Sequence, residues 1–286
     1  MRGRLYPQPR QRYERFRLNP YSPLYHGLAF FVSVPPVACT GLELHGPYAL
    51  PGTAYSVYSR PDSLIHRFFP EIGRAAIASR YTTILAPRWL VVLPPQKVIA
   101  LTVVAITNGT ATDKVFLGLV DMGANPSACI GEYGNNNYPG YYWRNLDRVT
   151  RCAYSEGKFW PLNMWFTYSA TFRPGSVHGY LSNWGIIDAQ SCDGVWPDTI
   201  RQPDYLSFAA GFYGTFVADG FVHLRELSLT ELHAISDLGN VDYRMPGEPP
   251  LILPVRTYWP SVLPVAPSYV KRRSLGARVG TREAAL

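Results

Sequence analysis

Proline and glycine interrupt this chain too often for long helices. Of its 286 residues, 26 are Pro and 24 are Gly, and 20 are Tyr. Proline fixes φ and removes a backbone donor, while glycine accepts turn conformations that other residues avoid. The runs between them are rich in Tyr, Phe, Trp, Val and Thr, which suit a pleated, half-buried surface. A helical bundle is therefore excluded. An all-β chain with many loops is expected, and it is long enough to bury a sizeable core.

The runs can be placed. "GLAFFVSV" (27–34) is the first clear strand. "KVIALTVVAITNG" (97–109) is β-branched and ends in Asn-Gly, a strand-then-turn signal, and 113–123 follows as the returning strand. In 163–175 the alternation reads as a strand with Trp165, Tyr168 and Phe172 as apolar residues, and 176–188 reads as two strands about a Ser-Asn-Trp-Gly turn. Another strand covers 205–212. Turn signals every ten residues or so suit a sandwich or barrel. One short helix is predicted at "PEIGRAAIASRY", with Pro70 and Glu71 in its first turn. Residues 124–160, centred on "EYGNNNYPGYYWRNLDR", read as a long polar and aromatic insertion. A loop of that length is usually functional.

The formal charge of +7 sits at the ends. Arginines outnumber lysines 23 to 4, and "MRGRLYPQPRQRYERFR" alone holds six of them with one acid. This divides the chain into a basic, extended arm (1–26), a sandwich domain (27–238) and a Pro-rich, basic arm (239–286). The C-terminal arm is too hydrophobic for a solvated linker and is expected to pack along the domain or against another subunit. Basic ends of this kind contact nucleic acid or an acidic protein surface, or are solvated tails. Arg10, Arg12, Arg15, Arg17, Trp259, Lys271, Arg272 and Arg273 are the candidate assembly residues. The N-terminus lacks the apolar core of a signal peptide, and no apolar run reaches the ~18 residues of a membrane-spanning helix. A soluble chain without a membrane role is expected.

Chemistry is harder to find. Cys39, Cys129, Cys152 and Cys192 make no Cys-x-x-Cys pair and have no His at ligand spacing, so no metal and no cofactor are expected. They read as free buried thiols, with a Cys129–Cys152 pair, within or across chains, as the alternative. No His-x-x-x-His, Gly-x-Ser-x-Gly or phosphate-loop pattern occurs. Carboxylate pairs for glycoside cleavage exist on paper, Glu132 with Asp147 or Asp188 with Asp193. Asp121, Asn125, Asp188 and Asp193 are conceivable calcium ligands without the regular spacing. Nothing singles these out, and an enzyme is not expected. In "GFVHLRELSLTELHAI" (220–235), Ser228 and Glu231 fit a capping box, which explains the glutamate as a helix cap. The helix runs over 229–237 with Leu229, Leu232 and Ile235 inward. Tyr133, Asn136, Tyr138, Tyr141, Tyr142 and Trp143 form the candidate glycan- or partner-binding set, since aromatic rings beside amides suit sugar stacking.

Gly220, Val222, Leu224, Arg225, Leu227, Ser228, Glu231 and Leu232, a strand opening into a short capped helix, resemble the closing segment of concanavalin A-like, laminin-G-type sandwiches. Asn19, Pro23, Leu24, Gly27 and Leu28 are similar to the start of the version found in bacteriophage structural proteins. "MWFTYSATFRPGSVHGYLSNWG" resembles its central strand pair, ending in an Asn turn at Asn183. The resemblance spans 19 to about 260. The short strand-to-helix connection and the aromatic insertion depart from it, so no ligand site is carried over.

The resemblance implies a concanavalin A-like, jelly-roll β-sandwich with one short helix and extended arms. It implies a virion structural protein, decorating a capsid or belonging to a tail or fibre. Such a protein is expected to be homo-oligomeric and to bind other virion proteins. The alternative is a carbohydrate-binding, lectin-like module for host-surface glycans.

Overall fold

β-Branched and aromatic runs separated by turns give a sandwich of two antiparallel sheets. The computed structural model describes residues 17–18, 21–34, 41–45, 54–56, 64–70, 72, 74–79, 84–85, 93–108, 115–121, 125–133, 138–210, 214–237 and 244–245. Strand β1 (Arg17–Leu18) precedes a 3-10 turn at Pro23–Tyr25, then β2 (Leu28–Ser33). Next come β3 (Gly41–His45), β4 (Ala54–Ser56), β5 (Leu64–Phe69), β6 (Arg74–Ser79) and β7 (Ile84–Leu85). The middle of the chain supplies β8 (Ile99–Thr107), β9 (Val115–Val120), β10 (Pro126–Tyr133), β11 (Tyr138–Arg144) and β12 (Thr150–Tyr154). Then follow β13 (Trp165–Arg173), β14 (Ser176–Leu181), β15 (Gly185–Asp188) and β16 (Gln190–Ser191). Last are β17 (Tyr205–Ala210), β18 (Thr215–His223), helix α1 (Leu229–Ser236) and β19 (Arg244–Met245).

Among the described residues the larger sheet runs β15-β14-β13-β8-β18-β2-β3-β4, with the β5–β6 hairpin joined through β6 to β18. The smaller sheet runs β16-β12-β11-β10-β9-β17-β7. β1 and β19 pair as a separate two-stranded ribbon. Strands β8 and β9 lie in different sheets, so the Asn-Gly after β8 does not make the expected hairpin: the chain crosses the sandwich there.

Alternate residues of the central strands build the core: Leu101 and Val103 of β8, Phe166, Tyr168 and Phe172 of β13, Ile130 of β10, Phe208 of β17. Phe116 joins them through a bulge. Ile130 lies opposite Leu117 and Gly131 opposite Val115, so Phe116 is the extra residue of its strand. It turns inward against Trp160, Phe166 and Tyr168. Burying a Phe or Leu side chain contributes roughly 1.5–3 kcal/mol, and this layer carries most of the stability.

Two sequence expectations fail here for a common reason. The helix expected at 70–81 is the strand β6 with the turn before it. Ala75, Ala76, Ile77 and Ala78 are buried on both faces, Ala75 and Ile77 in the main core and Ala76 against Phe69 on the other side. Burial on both faces erases alternation, and packing overrides alanine's helix propensity. The expected insertion at 124–160 contains three strands, β10, β11 and β12. Strand β11 carries tyrosines on both faces, so it too lacks a period of two.

Helix α1 is capped as its sequence demands. Ser228 Oγ accepts from Glu231 N at 3.3 Å, and Ser228 N donates to Glu231 Oε2 at 2.8 Å. Leu232 and Ile235 are buried against Leu28, Phe31, Val104 and Phe221 on the outer face of the larger sheet. Leu229, expected inward, is 44% exposed. Residues 223–225 tie this corner to the 3-10 turn. His223 Nε2 donates to Leu24 O at 2.8 Å, and Leu224 N donates to Gly27 O at 2.8 Å. Arg225 donates to His26 O at 2.7 Å and Pro23 O at 3.0 Å. Leu24, in the stretch assigned to the N-terminal arm, is buried in the same cluster.

His223 is fully buried, and its Nδ1 finds no hydrogen-bond partner. Burial pushes its imidazole down to about 4, against the ordinary 6.5. As pH falls the unfolded chain therefore binds the proton first. The contribution of neutral His223 is complete above pH 6.5 and is lost as pH drops toward 4. Melting followed across that window is expected to show a loss of roughly 3 kcal/mol, and His223→Asn to flatten it.

Candidate functional site

The residues picked from 133–143 divide by strand parity. On β11, Tyr141 and Trp143 point into the sandwich, and both are wholly buried. They are core residues and are removed from the candidate set. Tyr141 packs beside Tyr168, its hydroxyl bonded to Ser155 Oγ at 2.8 Å, and burial pushes that hydroxyl's pKa up. Trp143 stacks with Trp196 at 6.5 Å. Tyr142 points outward, half-buried, with its hydroxyl donated to Glu132 O at 2.7 Å. Asn136 lies outside the described residues, as do Arg10, Arg12, Arg15, Trp259, Lys271, Arg272 and Arg273. Arg17 lies on β1, paired with Met245.

Tyr133 and Tyr138 come together with two residues that the sequence reading missed. Tyr133 is opposite Tyr138, and Gly140 is opposite Tyr154 of β12. Gly140 brings no side chain to the outer face. The rings of Tyr133 and Tyr154 close over it, centroids 4.5 Å apart and 6° from parallel. Tyr138 lies 6.2 Å from Tyr154, 14° from parallel, and 5.4 Å from Phe159. The hydroxyls of Tyr133, Tyr138 and Tyr154 make no hydrogen bond within the described residues. A Cβ on residue 140 would meet Tyr133 N at 2.8 Å, so the close approach needs glycine.

Phe159 extends the row toward the other sheet. Its carbonyl accepts from Trp184 Nε1 at 3.1 Å and from Asn183 Nδ2 at 3.4 Å, which pins the 155–162 loop to the β14–β15 turn. Phe159 is 49% and Trp184 47% exposed. Lys158 Nζ stands over the Trp184 ring, 4.4 Å from its centroid. The result is an aromatic ledge, Tyr133–Tyr154–Tyr138–Phe159–Trp184, running off the smaller sheet and around to the β14–β15 turn. Tyr154, Phe159 and Trp184 escaped notice because they are scattered singly. Register alone brings them together.

A disulfide braces the strand that carries Tyr154. Cys152 of β12 bonds to Cys192, just past β16, across a separation of 40 residues, and Cys192 N donates to Cys152 O at 2.9 Å. This corrects the expectation of free thiols for Cys152 and Cys192, and the alternative Cys129–Cys152 pair, while the expectation holds for Cys129. Cys129 is not Cys152's partner, and it is a buried thiol whose pKa burial pushes up. Cys39 lies outside the described residues.

The carboxylate candidates are held apart or occupied. Glu132 is buried opposite Pro139, while Asp147 sits on the turn beyond Arg144. About 16 Å of strand separates them, too far for a paired-carboxylate mechanism. Asp147 instead bonds Arg151 at 2.6 Å, and that bond lowers its pKa. Asp193 accepts from Val195 N at 3.0 Å and Ser191 Oγ at 3.1 Å. Asp188 is exposed on β15. Asp121 is claimed by Arg144 at 2.7 Å and Arg201 at 3.1 Å, and it also accepts from Asn125. Among the described residues no three His, Cys, Asp or Glu side chains gather as metal ligands. No helix there is long and apolar enough to cross a membrane.

No family model and no curated protein matches the sequence. Solved structures match the fold. The binding domain of botulinum neurotoxin serotype G aligns with a TM-score of 0.51 at 11% identity, over 73% of this chain and 50% of that one. The binding domain of Paraclostridial Mosquitocidal Protein 1 aligns at 0.48 and 9% identity, over 74% and 52%. Trypanosoma rangeli sialidase aligns at 0.45 and 11%, over 72% and 32%. This chain thus spans about half of the two toxin domains and a third of the sialidase. The fold is an all-β sandwich, as in the serotype G binding domain.

Two outcomes follow for stability. Gly140→Ala is expected to cost about 1–3 kcal/mol and to abolish the near-ultraviolet circular dichroism of the Tyr133–Tyr154 pair. Cys192→Ser should cost up to about 4 kcal/mol in denaturant titrations, the loop-closure term for a bridge of this span.

Proposed function

We propose that the protein is a carbohydrate-binding, lectin-like module whose contact surface is the aromatic ledge. The observation that carries this reading is the run of half-exposed rings with unbonded tyrosine hydroxyls on a braced strand pair. A pyranose has an apolar C–H face and a rim of hydroxyls. The half-exposed rings of Phe159 and Trp184 suit the face, and the tyrosine stack beside them, its faces turned on one another, offers ring edges and hydroxyls toward the rim. Jelly-roll sandwiches commonly carry lectin sites, and the serotype G structure is itself a binding domain. Host-surface glycans are the ligands this reading favours.

A second reading, a bacteriophage virion subunit acting through its arms in a homo-oligomer, rests on the sequence resemblance alone. A chain that sediments as a monomer at all salt concentrations would remove it.

The glycan reading is tested on an array with the full chain. Hits are expected, and Tyr154→Ala or Phe159→Ala should each weaken the best of them about tenfold or more. Melting of the Phe159 variant should stay within about 0.5 kcal/mol of the parent, because that ring is half exposed. An array without hits, or hits indifferent to both substitutions, would sink the reading.

A further inference from the structure

Resting on that reading, we infer that the ledge takes an anionic glycan, one bearing carboxylate or sulfate, with Lys158 meeting its charge and Trp184 holding Lys158 in place. Lys158 Nζ stands over the Trp184 ring, 4.4 Å from its centroid. Indole is the side-chain ring that holds a cation best, and its face attracts the ammonium without cancelling the charge. An ammonium carries three donors and no acceptor, so its remaining N–H groups still call for acceptors.

No carboxylate among the described residues supplies them. The ion pairs there join Arg144, Arg151, Arg173, His178, Arg201 and Arg225 to their acids, and Lys158 is in none of them. Glu156, exposed and two residues earlier, is not bonded to it either. Lys158 is thus a placed cation without an ion-pair partner among the described residues, at the end of the candidate surface where the rings are half exposed.

The ring beneath it is itself held. Trp184 Nε1 donates to Phe159 O, and Asn183 Nδ2 donates to the same carbonyl. Lys158 and Phe159 are neighbours in the chain, so this junction sets ammonium, indole and phenyl ring in one place. A sugar resting its C–H face on Phe159 and the exposed part of Trp184 lies beside the ammonium. A carboxylate or sulfate on that sugar then accepts the donors that water would otherwise take. A lysine placed before its ligand arrives has less rotamer freedom to lose on binding. Charge at the rim of a shallow site sets which partner is accepted more than how tightly any is held. The expected effect is therefore selectivity for acidic over neutral glycans.

Calorimetry on the full chain tests this with oligomers of galacturonic acid, of sulfated galactose and of neutral galactose. At low salt an acidic oligomer is expected to bind about tenfold or more tightly than the neutral one, and the two acidic arms tell which anion is read. Added sodium chloride should shrink the advantage. Lys158→Met, which keeps the stem on the indole without the charge, should abolish the difference, and Lys158→Arg should keep it. Trp184→Ala leaves the charge but not its support and should cut the preference severalfold, whereas Trp184→Phe should retain most of it. Equal affinity for acidic and neutral oligomers would overturn the anionic ligand while leaving glycan binding intact. A preference that survives Lys158→Met would overturn it too, because charge elsewhere on the chain, as at its basic ends, would then be its source. A preference lost in Lys158→Met but untouched by Trp184→Ala would overturn the positioning role of the indole. Array hits confined to neutral glycans would overturn this inference alone. An array without hits would remove the reading beneath it.

Discussion

All five N–H groups of Arg225 are bonded, and they join parts of the chain about 200 residues apart. They reach His26 O and Pro23 O, Glu226 O, and both oxygens of Glu231. The planar fork of a guanidinium suits such a junction, and a lysine could not reproduce it. Burial opposes ionisation of Glu231, but bonds from Arg225 and Ser228 outweigh it and pull the carboxyl down to about 2. One ion pair therefore closes the helix cap, the end of β18 and the turn before β2. Since β18 lies between β8 and β2 at the centre of the larger sheet, the knot fixes the register of the strands that the rest of the sandwich stacks upon.

The knot also explains why the outer face of the larger sheet is dry at this corner. Leu24, Phe31, Phe221, Leu232 and Ile235 form a second apolar cluster under the helix, and His223 is sealed beneath Leu24. The outer face of the smaller sheet carries no helix among the described residues. Where β10, β11 and β12 meet, its tyrosines remain half exposed. The asymmetry has a physical consequence. One face is committed to closing the fold, and the other is left to present side chains.

Strands dense in aromatic and β-branched residues and bounded by turn signals were legible in the sequence, and so was the cap. "LAFFVS", "WFTYSATFR" and the Ser228–Glu231 spacing announce themselves through local chemistry. Arg225 stood within the motif that resembles the closing segment of concanavalin A-like sandwiches, although its carbonyl partners near Pro23 could not be read there. The strand at Arg74–Ser79 was hidden by burial on both faces, and β11 by tyrosines on both. Two of the five aromatic candidates, Tyr141 and Trp143, were misplaced for the same reason. "YYW" contains two core residues and one outward residue, and composition does not distinguish faces. Cys152 and Cys192 were separated by 40 residues and paired only by the β12–β16 register.

The ledge draws its character from this non-local origin. Its rings come from β10, β11, β12, a loop and the turn of the opposite sheet, so no short stretch encodes it. Each ring is nevertheless held by something rigid: Tyr133 and Tyr154 by their mutual stacking over Gly140, β12 by the disulfide, Phe159 by two donors on its carbonyl. A surface fixed before its ligand arrives loses little side-chain entropy on binding, which is the main cost that shallow aromatic sites face. The same rigidity sets their limit. A ledge on a strand pair cannot close around what it touches, so any contact it makes must come from the surface already exposed.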